Sequence, residues 1–225
     1  MNIKIITVFL VLSITSVFGQ LEQFRLGNEK VTSLAVSLTN SFEEFIVAGT
    51  ESHGIFMRNF TGNDTSWINH YFYNRLVSSV FVQRTGAGPA EFSKIFVSLT
   101  PDNSSDSTLV YSTINPVQSY WSRNDSGLSH KEINQIISFA GFGYSGHEPP
   151  QPVFCCAQNP HIYILESTTW KKSWSGLEIV SINQLFANNS TVFACGTFNG
   201  FIPTPLILKS KDFGKTWEEF SPCPA

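Results

Sequence analysis

Charge is scarce in this chain: Asp, Glu, Lys and Arg make up 14% of its 225 residues, with a formal net charge of -3. No basic stripe forms, which argues against nucleic acid as a partner, because phosphate contacts need clustered Lys and Arg. Histidine is sparse too. The five present (His53, His70, His130, His147, His161) lack the short spacings with which His and Cys hold a metal, so neither metal nor cofactor is expected. Glu43 and Glu44, like Glu218 and Glu219, are neighbours on or beside predicted strands. Adjacent strand residues point to opposite faces, so neither pair can act as facing carboxylates. Beyond the first 19 residues no apolar run is long enough to cross a bilayer, and no transmembrane anchor is expected.

Aromatic and small polar residues are plentiful instead: 20 Phe, 6 Tyr and 5 Trp stand among many Ser, Thr and Asn. That is the composition of an extracellular β protein. Residues 1–19 carry Lys4, an apolar run from Ile5 to Leu12, and small residues up to Gly19, which reads as a secretory signal peptide cleaved before Gln20. The expected location is secreted. About 200 remaining residues are enough for one domain with a substantial core. Four cysteines fit export and leave three pairings open. Cys156 and Cys195 occupy equivalent repeat positions and point the same way, so the expected bridge joins Cys155 to Cys195, with Cys156 and Cys223 free or paired.

Self-similarity organises the rest. Val31-Thr-Ser-Leu34, Val77-Ser-Ser-Val80, Ile133-Asn-Gln-Ile136 and Ile182-Asn-Gln-Leu185 share one pattern, apolar, two polar, apolar, at intervals of roughly 50 residues. These read as four first strands. Phe45 to Thr50, Leu109 to Thr113, Val153 to Cys156 and Val192 to Thr197 follow and read as second strands. Repeats are expected at 31–76, 77–132, 133–181 and 182–225, after an N-terminal lead at 20–30. Gly86 to Ser107 reads as an insertion between the first and second strands of repeat two, and Gly141 to Pro150 as one in repeat three. The latter contains Gly141-x-Gly143-x-x-Gly146 and Tyr144-Ser145-Gly146. Its prolines exclude the helix that a dinucleotide fingerprint or a nucleophile elbow requires.

Each repeat closes on a turn. Ser210-Lys-Asp212-Phe-Gly214-Lys-Thr216-Trp217 is the sharpest: Asp212 can accept N–H bonds across the turn, Gly214 supplies positive φ, and Trp217 leads into the outgoing strand. Residues 60–67, 123–130 and 167–174 are faded copies. The string resembles the Asp-box (BNR) motif of sialidase-like and sortilin-like β-propellers at all five signature positions, Ser210, Asp212, Gly214, Thr216 and Trp217. The resemblance implies an all-β propeller-like fold of four repeats of four antiparallel strands, as a ring, an open arc that dimerises, or part of a propeller. It also implies a structural role for the box, on the face opposite the ligand site. Sialidases clamp their substrate with three arginines. Beyond the signal peptide only Arg25, Arg58, Arg75, Arg84 and Arg123 exist, with no Arg-Ile-Pro motif, so the match covers the turn and no catalytic residue is assigned.

Sequons at Asn59, Asn63, Asn103, Asn124, Asn188 and Asn189 map to loops at the Asp-box end, predicting glycans there and a clear opposite face. That face would hold residues 51–53, 73–75, 159–161 and 198–201, with Arg75, Phe198, Asn199 and Phe201 as candidate ligand contacts. Aromatic and amide groups with few charges suit a glycan or an extended peptide. The expected function is a non-catalytic binding module with a glycan or an extracellular protein or peptide as partner. A sialidase-like glycoside hydrolase is the alternative, and an assembly factor the third reading.

Overall fold

The computed structural model describes residue 26 and residues 28–37, 45–59, 66–85, 92–101, 109–114, 120–128, 133–139, 152–157, 161–175, 180–188, 191–198 and 202–220. All regular structure among them is β. Four antiparallel sheets each hold four strands in chain order, a meander repeated four times. Blade 1 contains β1 (Val31–Ser37), β2 (Phe45–Thr50), β3 (Ile55–Asn59) and β4 (Ile68–Tyr71). Blade 2 contains β5 (Val77–Thr85), β6 (Phe92–Leu99), β7 (Leu109–Thr113) and β8 (Ser122–Arg123). In blade 3 these are β9 (Ile133–Ser138), β10 (Val153–Ala157), β11 (His161–Glu166) and β12 (Thr169–Ser175). Blade 4 has β13 (Val180–Asn188), β14 (Thr191–Phe198), β15 (Thr204–Ser210) and β16 (Glu218–Glu219). The architecture is propeller-like, as the repeats predict.

Neighbouring blades meet through their first strands, β1 on β5, β5 on β9 and β9 on β13, which therefore line a common axis. Three apolar clusters fill the three junctions. Val47, Ile55, Val77 and Val97 lie between blades 1 and 2, Phe96, Ile133, Cys155 and Trp170 between blades 2 and 3, and Phe154, Cys156, Ile182 and Ala194 between blades 3 and 4. Strand alternation sends Val153 and Cys155 to one junction and Phe154 and Cys156 to the next, which is why β10 is apolar at every position.

The repeated first-strand marker has a physical reason. In all four first strands the register skips the first polar residue, so Thr32, Ser78, Asn134 and Asn183 each sit at a β-bulge. The second polar residue ties its blade to the next one. Ser33 Oγ accepts the Val80 N–H (2.8 Å), Ser79 Oγ the Ile136 N–H (3.0 Å) and Gln135 Oε1 the Leu185 N–H (2.6 Å). Two bulged residues add a second link. Thr32 Oγ1 donates to Val77 O (2.5 Å), and Asn134 Nδ2 donates to Ile182 O (2.8 Å).

The turn after β15 closes as its sequence dictates. Ser210 Oγ donates to Asp212 Oδ1 (2.8 Å) and accepts the Gly214 N–H (2.8 Å). Asp212 Oδ1 accepts the Thr216 N–H (2.9 Å), and its Oδ2 accepts the Thr216 hydroxyl (2.6 Å). The turn also latches blade 4 to blade 3. Trp217 Nε1 donates to Ser173 Oγ (2.8 Å), and that hydroxyl donates to Gly214 O. The Thr216 hydroxyl and N–H, helped by Ser210, hold the Asp212 carboxyl down at about 2, against an ordinary 3.8. A depressed folded-state value means that the contribution is complete above the ordinary value and is lost as pH falls through the folded one. The melting-temperature difference between wild type and Asp212→Asn is therefore expected to shrink between about pH 5 and about pH 2. Thermal scans across that range check it, and a constant difference would contradict it.

Several placements differ from those the sequence predicts. Leu109–Thr113 is the third strand of blade 2, and the second is β6, inside the segment read as an insertion. Both runs are rich in β-branched and aromatic residues, so composition could not rank them. Of residues 123–130, Arg123 ends β8 and 124–128 follow it instead of joining β7 to it, whereas 129 and 130 lie outside the described residues; Ser126 O accepts the Trp170 N–H of blade 3 (2.8 Å). Of residues 167–174, Ser167 and Thr168 alone form the turn, and the rest belong to β12. The expected Cys155–Cys195 bridge is not made: both are free thiols, with Cys155 buried between blades 2 and 3 and Cys195 exposed on the side of blade 4 turned away from blade 3. Cys156 is a third free thiol, and burial pushes it up to about 12, so it stays protonated. Cys223, residues 60–65 and residues 141–150 lie outside the described residues.

Candidate functional site

In each meander the first strand starts at the end where the second-to-third and fourth-to-first connections lie, whereas the 210–217 turn sits at the other end. A cavity of about 510 Å³ opens at the first-strand starts, and all four blades line it. Thr32, Ser78, Asn134 and Asn183, the four bulged residues, are all in its wall, with Leu76 and Ser181 between them. A bulge re-aims one side chain out of the ladder, and here the same re-aiming occurs once per blade around the axis. No residue lining the cavity carries a charge.

These side chains offer two hydroxyls and two carboxamides. Thr32 and Asn134 use their donors on the next blade, which leaves acceptor oxygens for a guest. Ser78 Oγ is 2.8 Å from Ser98 Oγ. Asn183 is exposed, and its carboxamide makes no hydrogen bond among the described residues. Groups of this kind match the hydroxyls and amides of neutral polar molecules.

The expected contact residues do not gather there. Arg75, in the connection to β5, directs Nη2 at Thr100 O (3.2 Å), while its backbone oxygen accepts the Gly54 N–H (3.1 Å); it braces two loops at the cavity end. Phe198 ends β14 and packs against the core between blades 3 and 4. Asn199 and Phe201 lie outside the described residues. The four bulged residues were present in the sequence as the third letter from the end of each marker, but only the register shows that they leave the strand.

Ser52, His53 and Glu29 form one cluster: Ser52 Oγ is 3.0 Å from His53 Nδ1, and Glu29 Oε1 is 2.8 Å from that same nitrogen. A histidine that activates a nucleophile needs its two ring nitrogens divided between base and orienting acid. Here both partners crowd Nδ1. Together with the Lys30–Glu51 pair at 2.9 Å, the cluster anchors the approach to β1 on the loop after β2. Among the described residues, no group of three or more His, Cys, Asp or Glu is placed to hold a metal ion, and no helix is long and apolar enough to cross a membrane.

The sequons divide between the two ends. Asn59 and Asn188 terminate β3 and β13 at the 210–217 end, and Asn63 and Asn189, outside the described residues, follow them in the chain. Asn124 comes after β8, with Nδ2 3.4 Å from Ser112 Oγ. Asn103, also outside the described residues, lies between β6 and β7, strands that leave and re-enter at the cavity end. The one-sided distribution expected from sequence therefore fails at Asn124, which follows the fourth strand of blade 2 and lies beside the start of β7 at the cavity end, and for the connection that holds Asn103, which is second-to-third and not first-to-second.

No protein-family model matches the chain, and no curated protein matches it. Among solved structures, it is similar to a chain described as Bacteroides ovatus Xyloglucan PUL GH43B, with a TM-score of 0.48 and 12% identity, over 88% of this chain and 42% of that one. This chain spans less than half of that protein's length.

Proposed function

We propose that the chain is a secreted, non-catalytic binding module of Asp-box propeller type that takes a neutral polar ligand, a glycan or an extended peptide, at the axial cavity. The observation that carries the reading is the ring of four bulged hydroxyl and carboxamide side chains in an uncharged wall. Recognition sites combine a concave, partly apolar wall with a few convergent polar groups, and Leu76, Val77 and Ile133 supply the apolar part. Hydrolysis of a glycosidic bond uses a pair of carboxyl groups in most families and a Tyr nucleophile with an acidic partner in sialidases, and this wall offers neither a carboxyl group nor a Tyr. The signal peptide at 1–19 supports export, and the box at 210–217 stands at the end away from the cavity, where the Asp-box resemblance puts a structural turn.

The test is to incubate the protein with a mixed library of neutral glycans and peptides and to follow retention and product masses by mass spectrometry. Retention of a ligand with its mass unchanged is expected. Cleaved products would replace the reading with a glycoside hydrolase, and no retention from either class would contradict it.

A further inference from the structure

Blade 4 exposes a side that the other blades keep covered. Its cross-strand pair Phe186 and Phe193 takes the register place of Phe81 and Phe96 in blade 2 and of Ile137 and Phe154 in blade 3. Those two earlier pairs pack into the junction with the following blade. Among the described residues no blade follows blade 4, where Phe186 is 62% exposed and Phe220 45%. Cys195 and Ile207 stand where Cys156 and Ile162 stand in blade 3; Cys156 and Ile162 are buried, whereas Cys195 is exposed. Gln184 stands where Gln135 does. Gln135 accepts the Leu185 N–H of the next blade, whereas Gln184 is exposed and accepts nothing among the described residues.

The matching half is at the other end of the arc. Leu34 pairs with Ala48 as Val80 pairs with Val97, Ile136 with Cys155 and Leu185 with Ala194. By that register its N–H points toward the axis, where in all three existing junctions the preceding blade accepts it. Among the described residues no blade precedes β1, and Val31 and Leu34 are 36% and 39% exposed. Behind them Ile46 and Ala48 are already buried, so Val31 and Leu34 carry the open part of this half. Among the described residues no contact comparable to those of the other first strands joins β13 to β1. One chain thus carries both halves of a blade junction and does not bring them together.

We propose that a second copy of this chain completes them: blade 4 of each copy packs on blade 1 of the other, with Gln184 Oε1 accepting the Leu34 N–H across the junction. A second copy fits because the polar link, the apolar cross-strand pair and the apolar receiving strand of the three junctions within the chain recur at the two open ends. Two arcs joined in this way make two identical head-to-tail contacts and close on a two-fold axis, within the range of about four to eight blades known for propellers. Closing the junction buries the Phe186, Phe193 and Ile207 side chains and shields the Cys195 thiol.

The experiment measures the mass of the full protein in solution by sedimentation, from about 1 to about 100 µM, the range in which two-copy assemblies of moderate affinity form. A two-copy mass is expected for the wild type. Phe186→Glu and Leu34→Glu each place an unpaired charge in both junctions and should weaken association by at least about tenfold. Both positions are exposed, and strand circular dichroism verifies folding. Mixing the two variants restores one intact junction, so the mixture should recover the two-copy mass where either variant alone does not. Alkylation mapped to Cys195 should run about tenfold faster in Phe186→Glu than in the wild type at high concentration. A one-copy mass for the wild type throughout, a two-copy mass unaffected by Phe186→Glu, or a mixture that stays at one copy would overturn the proposal.

Discussion

Trp170→Ala is expected to cost about 3–5 kcal/mol of stability, the usual loss when a large buried ring is deleted. Trp170 is 1% exposed in the core between blades 2 and 3, and its Nε1 donates to Asn124 O (2.8 Å). Its backbone N–H donates to Ser126 O (2.8 Å), so the segment after β8 is stitched to blade 3 through this one residue. Removing the ring opens a void and strips Asn124 O of its donor, two penalties with separate origins. For a domain of this size the melting temperature should fall by about 6–20 °C. Trp170→Phe keeps most of the packing and loses the hydrogen bond, for about 1–2 kcal/mol. Thermal denaturation followed by circular dichroism separates the two, and a loss below about 1 kcal/mol for the alanine variant would contradict this packing.

Gly214→Ala is expected to destabilise by about 2–5 kcal/mol, from two causes. Gly214 has φ 80°, in the left-handed region that costs a residue with a Cβ about 1–2 kcal/mol. An added Cβ would also run into the Phe154 ring, which is wholly buried in the junction between blades 3 and 4. Overpacking of that kind costs about 1–3 kcal/mol. Because Gly214 O also accepts the Ser173 hydroxyl, displacement of the turn loosens the latch to blade 3 as well. Chemical denaturation should show the midpoint falling with little change in slope, whereas Lys215→Ala, at an exposed position of the same turn, should leave the midpoint unchanged.

Much of the architecture was legible because its signals are local. The marker of apolar, polar, polar, apolar residues located every first strand, since each junction needs two apolar residues to bury and two polar ones to bulge and to link. The 210–217 turn was legible in Asp212 and Gly214, because Asp212 accepts the Thr216 N–H across it and Gly214 has φ 80°. Blade 2 was misread where the signal is not local: β6 and β7 carry equivalent strand chemistry, and only pairing with β5 ranks them. That single slip moved the loop holding Asn103 to the wrong end. The cysteines failed for a related reason, since alternation puts Cys155 on the face away from blade 4, while Cys195 faces away from blade 3. Phe198, a ligand contact expected from its aromatic character, is partly buried against the core between blades 3 and 4. The bulged residues could not be recognised as a site from one strand at a time, because they converge only when four strands surround one axis.

The most direct measurement is the dissociation constant of a retained neutral glycan or peptide for the wild type and for Asn183→Ala, by calorimetry. Asn183 is the bulged residue whose side chain has no hydrogen bond among the described residues, so its truncation spares the fold. Loss of one neutral hydrogen bond to the ligand predicts binding weaker by about threefold to tenfold, with an unchanged melting temperature and unchanged ligand mass. Equal affinity for the two proteins would place the ligand elsewhere and contradict the axial site.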